Sequence, residues 1–208
     1  MLIPNEKFLS VLLKNKITIN GIFHIGAHDC EELSFYTEIC NPESIIWVDA
    51  LEFKVNEQKA KGVNNIYCAT ISDKDDDIVN FNVSNNYASS SILPFGTHTT
   101  EHPHVHYIGY FPTKTVTVDT FFQKNNLDPT KCNLWNIDIQ GAEMLALKGG
   151  TNALKYANVL YLEVNEKELY KGCPNINEID NYVSQFGFRR VLTEITIHGW
   201  GDAVYIKN

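Results

Sequence analysis

Three short segments place glycines and acids where a nucleoside could be held and a hydroxyl activated. The first is Phe23-His24-Ile25-Gly26-Ala27-His28-Asp29. A glycine between an apolar run and a helical pattern lets a ligand approach the backbone, and the helix N-terminus supplies unpaired N–H donors. The dinucleotide fingerprint needs G-x-G-x-x-G, and here Gly26 stands alone. Asp29, Glu31 and Glu32 crowd the following turn, where carboxylates repel a pyrophosphate. A nucleoside ligand without phosphates fits better. The plainer reading of the same residues is a tight strand-to-helix turn with Asp29 as N-cap. Asp49 ends the next apolar run, where an acid can accept both hydrogen bonds of a ribose diol, or can be a surface acid only. The third segment is Asp138-Ile139-Gln140-Gly141-Ala142-Glu143. There Asp138 can orient a substrate hydroxyl or accept its proton, Gly141 permits close approach, and Glu143 reads as a cap of the helix that follows. Glu163, closing the next run, is a second candidate base.

Other polar groups are less specific. His98, His102, His104 and His106 invite a metal reading, but Glu101 is their lone carboxylate and Pro103 interrupts any helix. A polar loop near a substrate is expected, and no metal site. In Ser89-Ser90-Ser91, Ser90 and Ser91 can donate hydrogen bonds to substrate or cofactor, or the run can be a turn. His198, in a terminal loop, can face the same edge or simply be exposed. The five cysteines form no C-x-x-C pair, so reduced thiols are expected rather than disulfides or zinc.

The elements that must position these groups alternate along the chain. Apolar runs bounded by turn residues read as buried parallel strands at 21–26, 44–49, 65–71, 133–139 and 158–164. Helical patterns lie at Asn5 to Lys14, after Asp29, from Gly141 to Leu147 with a left-handed cap at Gly149-Gly150, and from Asn175 onward. Residues 188–197 and 200–206 are β-rich and joined by His198-Gly199, too short a link for anything but an antiparallel hairpin. Residues 78–83 form a further strand. The stretch from Asn85 to about 115 has little regular pattern and reads as an active-site cover inserted in a single domain. Ligands in such α/β folds bind at the carboxyl ends of the strands.

Composition limits the partners. In 208 residues, 17 Lys+Arg face 25 Asp+Glu, a net charge of −8, which argues against nucleic acid and anionic membranes. No apolar run reaches transmembrane length, and the first ten residues lack a basic segment followed by an apolar one. A soluble, cytoplasmic protein acting on a small molecule or glycan is expected.

The block Asp138 to Glu143, followed by Leu145, Leu147, Lys148 and Gly149, resembles the D-x-Q-G-x-E block of FkbM-family S-adenosylmethionine-dependent methyltransferases. Glu163-Val164 with Leu169-Tyr170, and Trp200-Gly201-Asp202-Ala203-Val204-Tyr205, are also similar, so the likeness runs from about Gly21 to Ile206. It implies a Rossmann-like class I fold, with a seven-stranded, mostly parallel sheet, an antiparallel last strand and helices on both faces. It also implies S-adenosylmethionine as cofactor, with Gly26, Ala27 and His28 along its methionine half, Asp49 at the ribose and Ser72 at the adenine. The chain departs from the family at His24, where an acid is usual, at Cys30, where a second glycine is frequent, and at Ala50 in place of proline. An acidic cleft suits a sulfonium. Methylation of a sugar or glycoconjugate hydroxyl is the expected reaction, with N or C acceptors left open. The rivals are a nicotinamide-dependent oxidoreductase or epimerase, and a cofactor-binding module without catalysis.

Overall fold

A computed structural model describes residues 1–207. Helix α1 (Asn5–Lys14) leads into β1 (Ile22–Ile25), α2 (Leu33–Ile39), β2 (Ile45–Asp49), α3 (Glu52–Ala60) and β3 (Ile66–Cys68). Next come β4 (Thr70–Ile71), β5 (Ile78–Ser84), α4 (His98–Glu101), β6 (Tyr107–Val116) and α5 (Val118–Lys124). The chain finishes with β7 (Leu134–Ile137), α6 (Glu143–Gly149), β8 (Val159–Asn165), α7 (Ile176–Ser184), β9 (Phe188–Ile195) and β10 (Trp200–Lys207). Seven strands form one sheet in the order β3-β2-β1-β7-β8-β10-β9. Strand β10 runs antiparallel to both neighbours and the other pairs are parallel.

Both faces of this sheet are buried, which is why its central strands are apolar without alternation. Phe23, Ile46, Val48, Trp135 and Ile137 pack under α5, α6 and α7, while Ile22, Ile45, Trp47 and Leu134 pack under α1, α2 and α3. The order reverses beside β1, between β2 and β7, and there the carboxyl ends of the strands open a crevice.

The strand expected over 65–71 is two strands in two sheets. β3 stays with β2, whereas β4 pairs with β6 in a three-stranded sheet of order β4-β6-β5. The region after Asn85 is also more regular than its composition implies, because Tyr107–Val116 pairs antiparallel with β5. Gly109 and Pro112 hide this strand in the sequence, and they are tolerated because much of its surface faces solvent. Two expected caps are absent. α2 starts at Leu33 with no side-chain cap, and Asp29 is bound instead by Lys54 and Gln58. α6 ends at Gly150 with φ −117°, which is not left-handed. By contrast, Asn175 and Glu178 form a full capping box on α7. Among the described residues no helix is long and apolar enough to cross a membrane.

Candidate active site

The crevice holds a cavity of about 420 Å³, within the range of small-molecule sites. Gly26, Ala27, His28, Asp49, Asp138 and Glu163 all line it, so four strand ends converge as expected. Ser90 lines it too.

At the β1 end, Gly26 has φ +93°, and a Cβ there would lie 1.7 Å from the Asp138 carbonyl oxygen. The glycine is therefore required by close packing of two strand ends, in addition to any ligand. The N–H groups of Gly26 and Ala27 both donate to the Val48 carbonyl, and that of His28 donates to Asp49 Oδ2 at 2.7 Å. These amides are spent within the protein, and the helix starts only at Leu33. The turn is no cradle for phosphates, which corrects the expectation of free helix N–H donors here. Asp49 also accepts from Leu51 N at 2.7 Å through its other oxygen, which fixes the carboxylate plane and leaves one lone pair on each oxygen. Burial raises its pKa. His28 Nε2 is buried without a partner.

His24 is a core residue as much as a lining one. Its Nδ1 lies 3.2 Å from the Tyr36 hydroxyl, which accepts from Asn136 Nδ2 at 2.6 Å, and its ring packs 4.9 Å from Trp47. Burial lowers its pKa, which favours the neutral imidazole. Glu32 approaches His24 Nδ1 to 4.0 Å and lines the cavity.

The loop from β7 to α6 builds the acidic end. Gln140 takes φ +59°, a conformation that costs a non-glycine residue energy and is held here by its contacts. Its Nε2 donates to Asp138 Oδ1 at 2.8 Å and to Glu163 Oε2 at 2.7 Å, and its Oε1 accepts from the Tyr170 hydroxyl at 2.5 Å. Glu143 is fully buried and accepts from the N–H groups of Ile139 and Gly141. It ties the loop as a cap would, while burial pushes its pKa up to about 8. Burial, then the charges of Asp138 and Glu143, push Glu163 well above the usual carboxyl range. That shift favours the protonated form of Glu163 over the carboxylate that a base needs.

Three expected contacts lie outside the cavity. Ser72 packs its carbonyl against Gly149, and Ala69, Thr70 and Ile71 line the wall in its place. Ser91 Oγ donates to the Gln140 carbonyl at 2.9 Å and so latches the cover to the β7–α6 loop. His198 pairs with Glu101 at 3.0 Å and rests 4.6 Å from the His102 ring. Ser90 reaches the wall but spends its hydroxyl on Ser84, accepting from Ser84 N at 3.0 Å. His98, His102 and His104 line the cavity, whereas among the described residues the group able to gather round a cation is His28, Asp29 and Glu31. Lys54 already neutralises Asp29 from 2.9 Å. Residues missed as site members are Gln140, Tyr170, Asp202 and Trp200, although all four stood in the motifs quoted for the resemblance.

Charge and donor set together fit a cationic nucleoside without phosphate. Among the described residues the cavity is lined by acidic side chains from six residues and by no lysine or arginine side chain, while Met1 lines it with its N-terminal ammonium 3.4 Å from Glu32. The methyltransferase FkbM domain model matches residues 24–190. Among curated proteins none matches the chain significantly in sequence. Similar solved structures include a SAM-dependent methyltransferase from Aquifex aeolicus, with TM-score 0.45, 11% identity, and coverage of 100% of this chain and 91% of that one. Another is magnesium protoporphyrin IX methyltransferase from Synechocystis PCC 6803 with bound SAM, with TM-score 0.48, 11% identity, and coverage of 98% and 78%. With the domain match spanning most of the seven-stranded fold and its crevice, the chain belongs to the FkbM family of S-adenosylmethionine-dependent methyltransferases.

Proposed function

We propose that this methyltransferase acts on a hydroxyl of a sugar or glycoconjugate, with Asp138 as the group that receives the hydroxyl proton. When bound, S-adenosylmethionine supplies a methyl group on a sulfonium, whose departure leaves a neutral thioether. Gly26, Ala27 and His28 would border its methionine half, Asp49 its ribose diol, and the wall from Ala69 to Ile71 its base. His28 Nε2, buried and unpartnered, supports a polar ligand atom on this side. The observation that carries the reading is the Asp138–Gln140–Glu163 bridge. Gln140 holds Asp138 Oδ1 and Glu163 Oε2 through one amide, and the nearness of Asp138 helps raise the pKa of Glu163, which disfavours Glu163 as the proton acceptor of the two. Asp138 would take the proton that the acceptor hydroxyl gives up on methylation. Alignment and proximity supply most of the acceleration in such a displacement. The acidic net charge supports an acceptor other than nucleic acid, and five free thiols support a reducing compartment such as the cytoplasm.

The test is Asp138→Asn. Labelled methyl transfer to glycans should fall about 100-fold or more, the usual range for a lost proton acceptor. Affinity for S-adenosylhomocysteine, measured by calorimetry, should change by less than about threefold. Full activity removes Asp138 from the mechanism. Label recovered on protein or RNA instead overturns the glycan assignment, and saturable binding with no transfer to any acceptor favours the non-catalytic module.

A further inference from the structure

Five buried polar side-chain atoms among the described residues have no hydrogen-bond partner, and three belong to residues lining this one cavity. They are His28 Nε2, His98 Nδ1 and Trp200 Nε1. All three residues line the cavity, so a molecule bound there is the nearest source of the missing partners once the side chains turn toward it. His28 belongs to the β1 turn and the nucleoside side. His98 and Trp200 come from the cover and from β10, and they meet around a separate apolar cluster of Phe95, Val105, Leu169 and Tyr170. The His98 ring, 4% exposed, stacks on Phe95 at 4.2 Å with planes 5° apart and lies 5.4 Å from the Tyr170 ring. Trp200 packs against the same cluster. The Tyr170 hydroxyl reaches Gln140, whose amide holds Asp138, so this pair sits at the Asp138 end of the cavity.

The chemistry of the pair is complementary. An indole N–H only donates, whereas a neutral imidazole can accept at one nitrogen. His98 is kept neutral, its pKa pushed down to about 4 by burial and then by the charge of His102. A hydroxyl, which both donates and accepts, satisfies both atoms. Apolar ring surface beside two polar points suits a molecule with C–H faces and hydroxyl edges. Acidic side chains of Glu31, Glu32, Asp49, Asp138 and Asp202 line the cavity and outnumber the Met1 ammonium that pairs with Glu32, with no lysine or arginine side chain beside them, so an anion entering there would be repelled.

We propose that His98 and Trp200 form the acceptor subsite, holding an uncharged polyhydroxylated ring by a hydrogen bond from Trp200 Nε1 to one of its hydroxyls and one from a hydroxyl to His98 Nδ1. This deepens the hydroxyl-methylation reading above and rests on it for the reaction that follows binding.

The experiment follows the Trp200 indole N–H and the His98 ring nitrogens by ¹⁵N NMR, assigned with Trp200→Phe and His98→Gln. Titrations use methyl glucoside, methyl galactoside, methyl rhamnoside and N-acetylglucosamine, with glucuronate and glucose 6-phosphate as charged counterparts. Each is run with and without S-adenosylhomocysteine. Concentrations reach about 100 mM, roughly 100-fold above a millimolar Kd. At least one neutral sugar should shift both resonances, and each variant should weaken it about tenfold. S-adenosylhomocysteine affinity and the melting temperature should stay unchanged in both variants. No shift from any neutral sugar overturns the proposal, even where S-adenosylhomocysteine binds and the cofactor reading stands. Shifts produced by S-adenosylhomocysteine alone, with none from sugars, assign the pair to the cofactor and also overturn it. Tighter binding of either charged sugar overturns the uncharged acceptor.

Discussion

At the scale of single residues, the site is made of groups that serve structure and chemistry at once. Asp49 caps two backbone amides with the oxygens proposed to meet the ribose. Asp49→Ala should weaken S-adenosylhomocysteine binding by more than about tenfold, the cost of two charge-assisted hydrogen bonds, as read by calorimetry. Unchanged affinity would move the ribose elsewhere. Gly26→Ala would press a methyl group against the Asp138 carbonyl at positive φ. It should cost about 3 kcal/mol or more in urea unfolding, and a smaller loss would mean the two strand ends can part cheaply. Glu143 gives a pH signature. Burial raises its pKa from 4.5 to about 8, so the folded state binds the proton more tightly than the unfolded chain does. Its contribution to stability is complete below pH 4.5 and is lost as pH climbs through about 8. Glu143→Gln stays neutral and keeps an oxygen for both amides. The melting-temperature difference should therefore move in favour of the variant across that window, and a flat difference would place the proton elsewhere.

At the scale of elements, the cover is fastened at separate points. Ser91 bonds the Gln140 carbonyl, and Tyr87, at φ +60°, meets Phe53 of α3 edge-on at 5.0 Å with Lys54 over its ring. Tyr87→Ala should raise amide exchange in residues 85–92 several-fold while β7 and β8 keep their protection. Equal exchange would leave the fastening to Ser91. The parallel strands and the terminal hairpin were legible because strands buried on both faces are apolar throughout, and because two residues cannot carry a crossover. Strand β6 was not, since Gly109, Pro112 and an exposed surface remove the usual signals. The carboxylates of the crevice were readable as strand-end acids. Their division of labour was not, because it depends on Gln140, whose reach to Glu163 spans 23 residues of sequence. Ser72 was misplaced for a similar reason, as the chain leaves the main sheet after β3 and carries Ser72 out of the wall.

At the scale of the whole molecule, charge is the dominant feature. A net −8, with no lysine or arginine side chain among the described residues of the cavity, draws in a cation and holds it less firmly once neutral. Raising salt to about 0.5 M should weaken S-adenosylmethionine binding several-fold and leave S-adenosylhomocysteine, which lacks the sulfonium, nearly unchanged. Equal salt sensitivity would mean the acids act only through contacts. The segment made of β5, the cover and β6 has adjoining ends, with Ser72 N–H bonded to the Val116 carbonyl at 3.1 Å. A segment whose entry and exit touch can be cut out and exchanged with little strain on the body that carries it. Residues 73–115 therefore form an exchangeable cassette, one that carries His98 and most of β6 while Trp200 stays with the body.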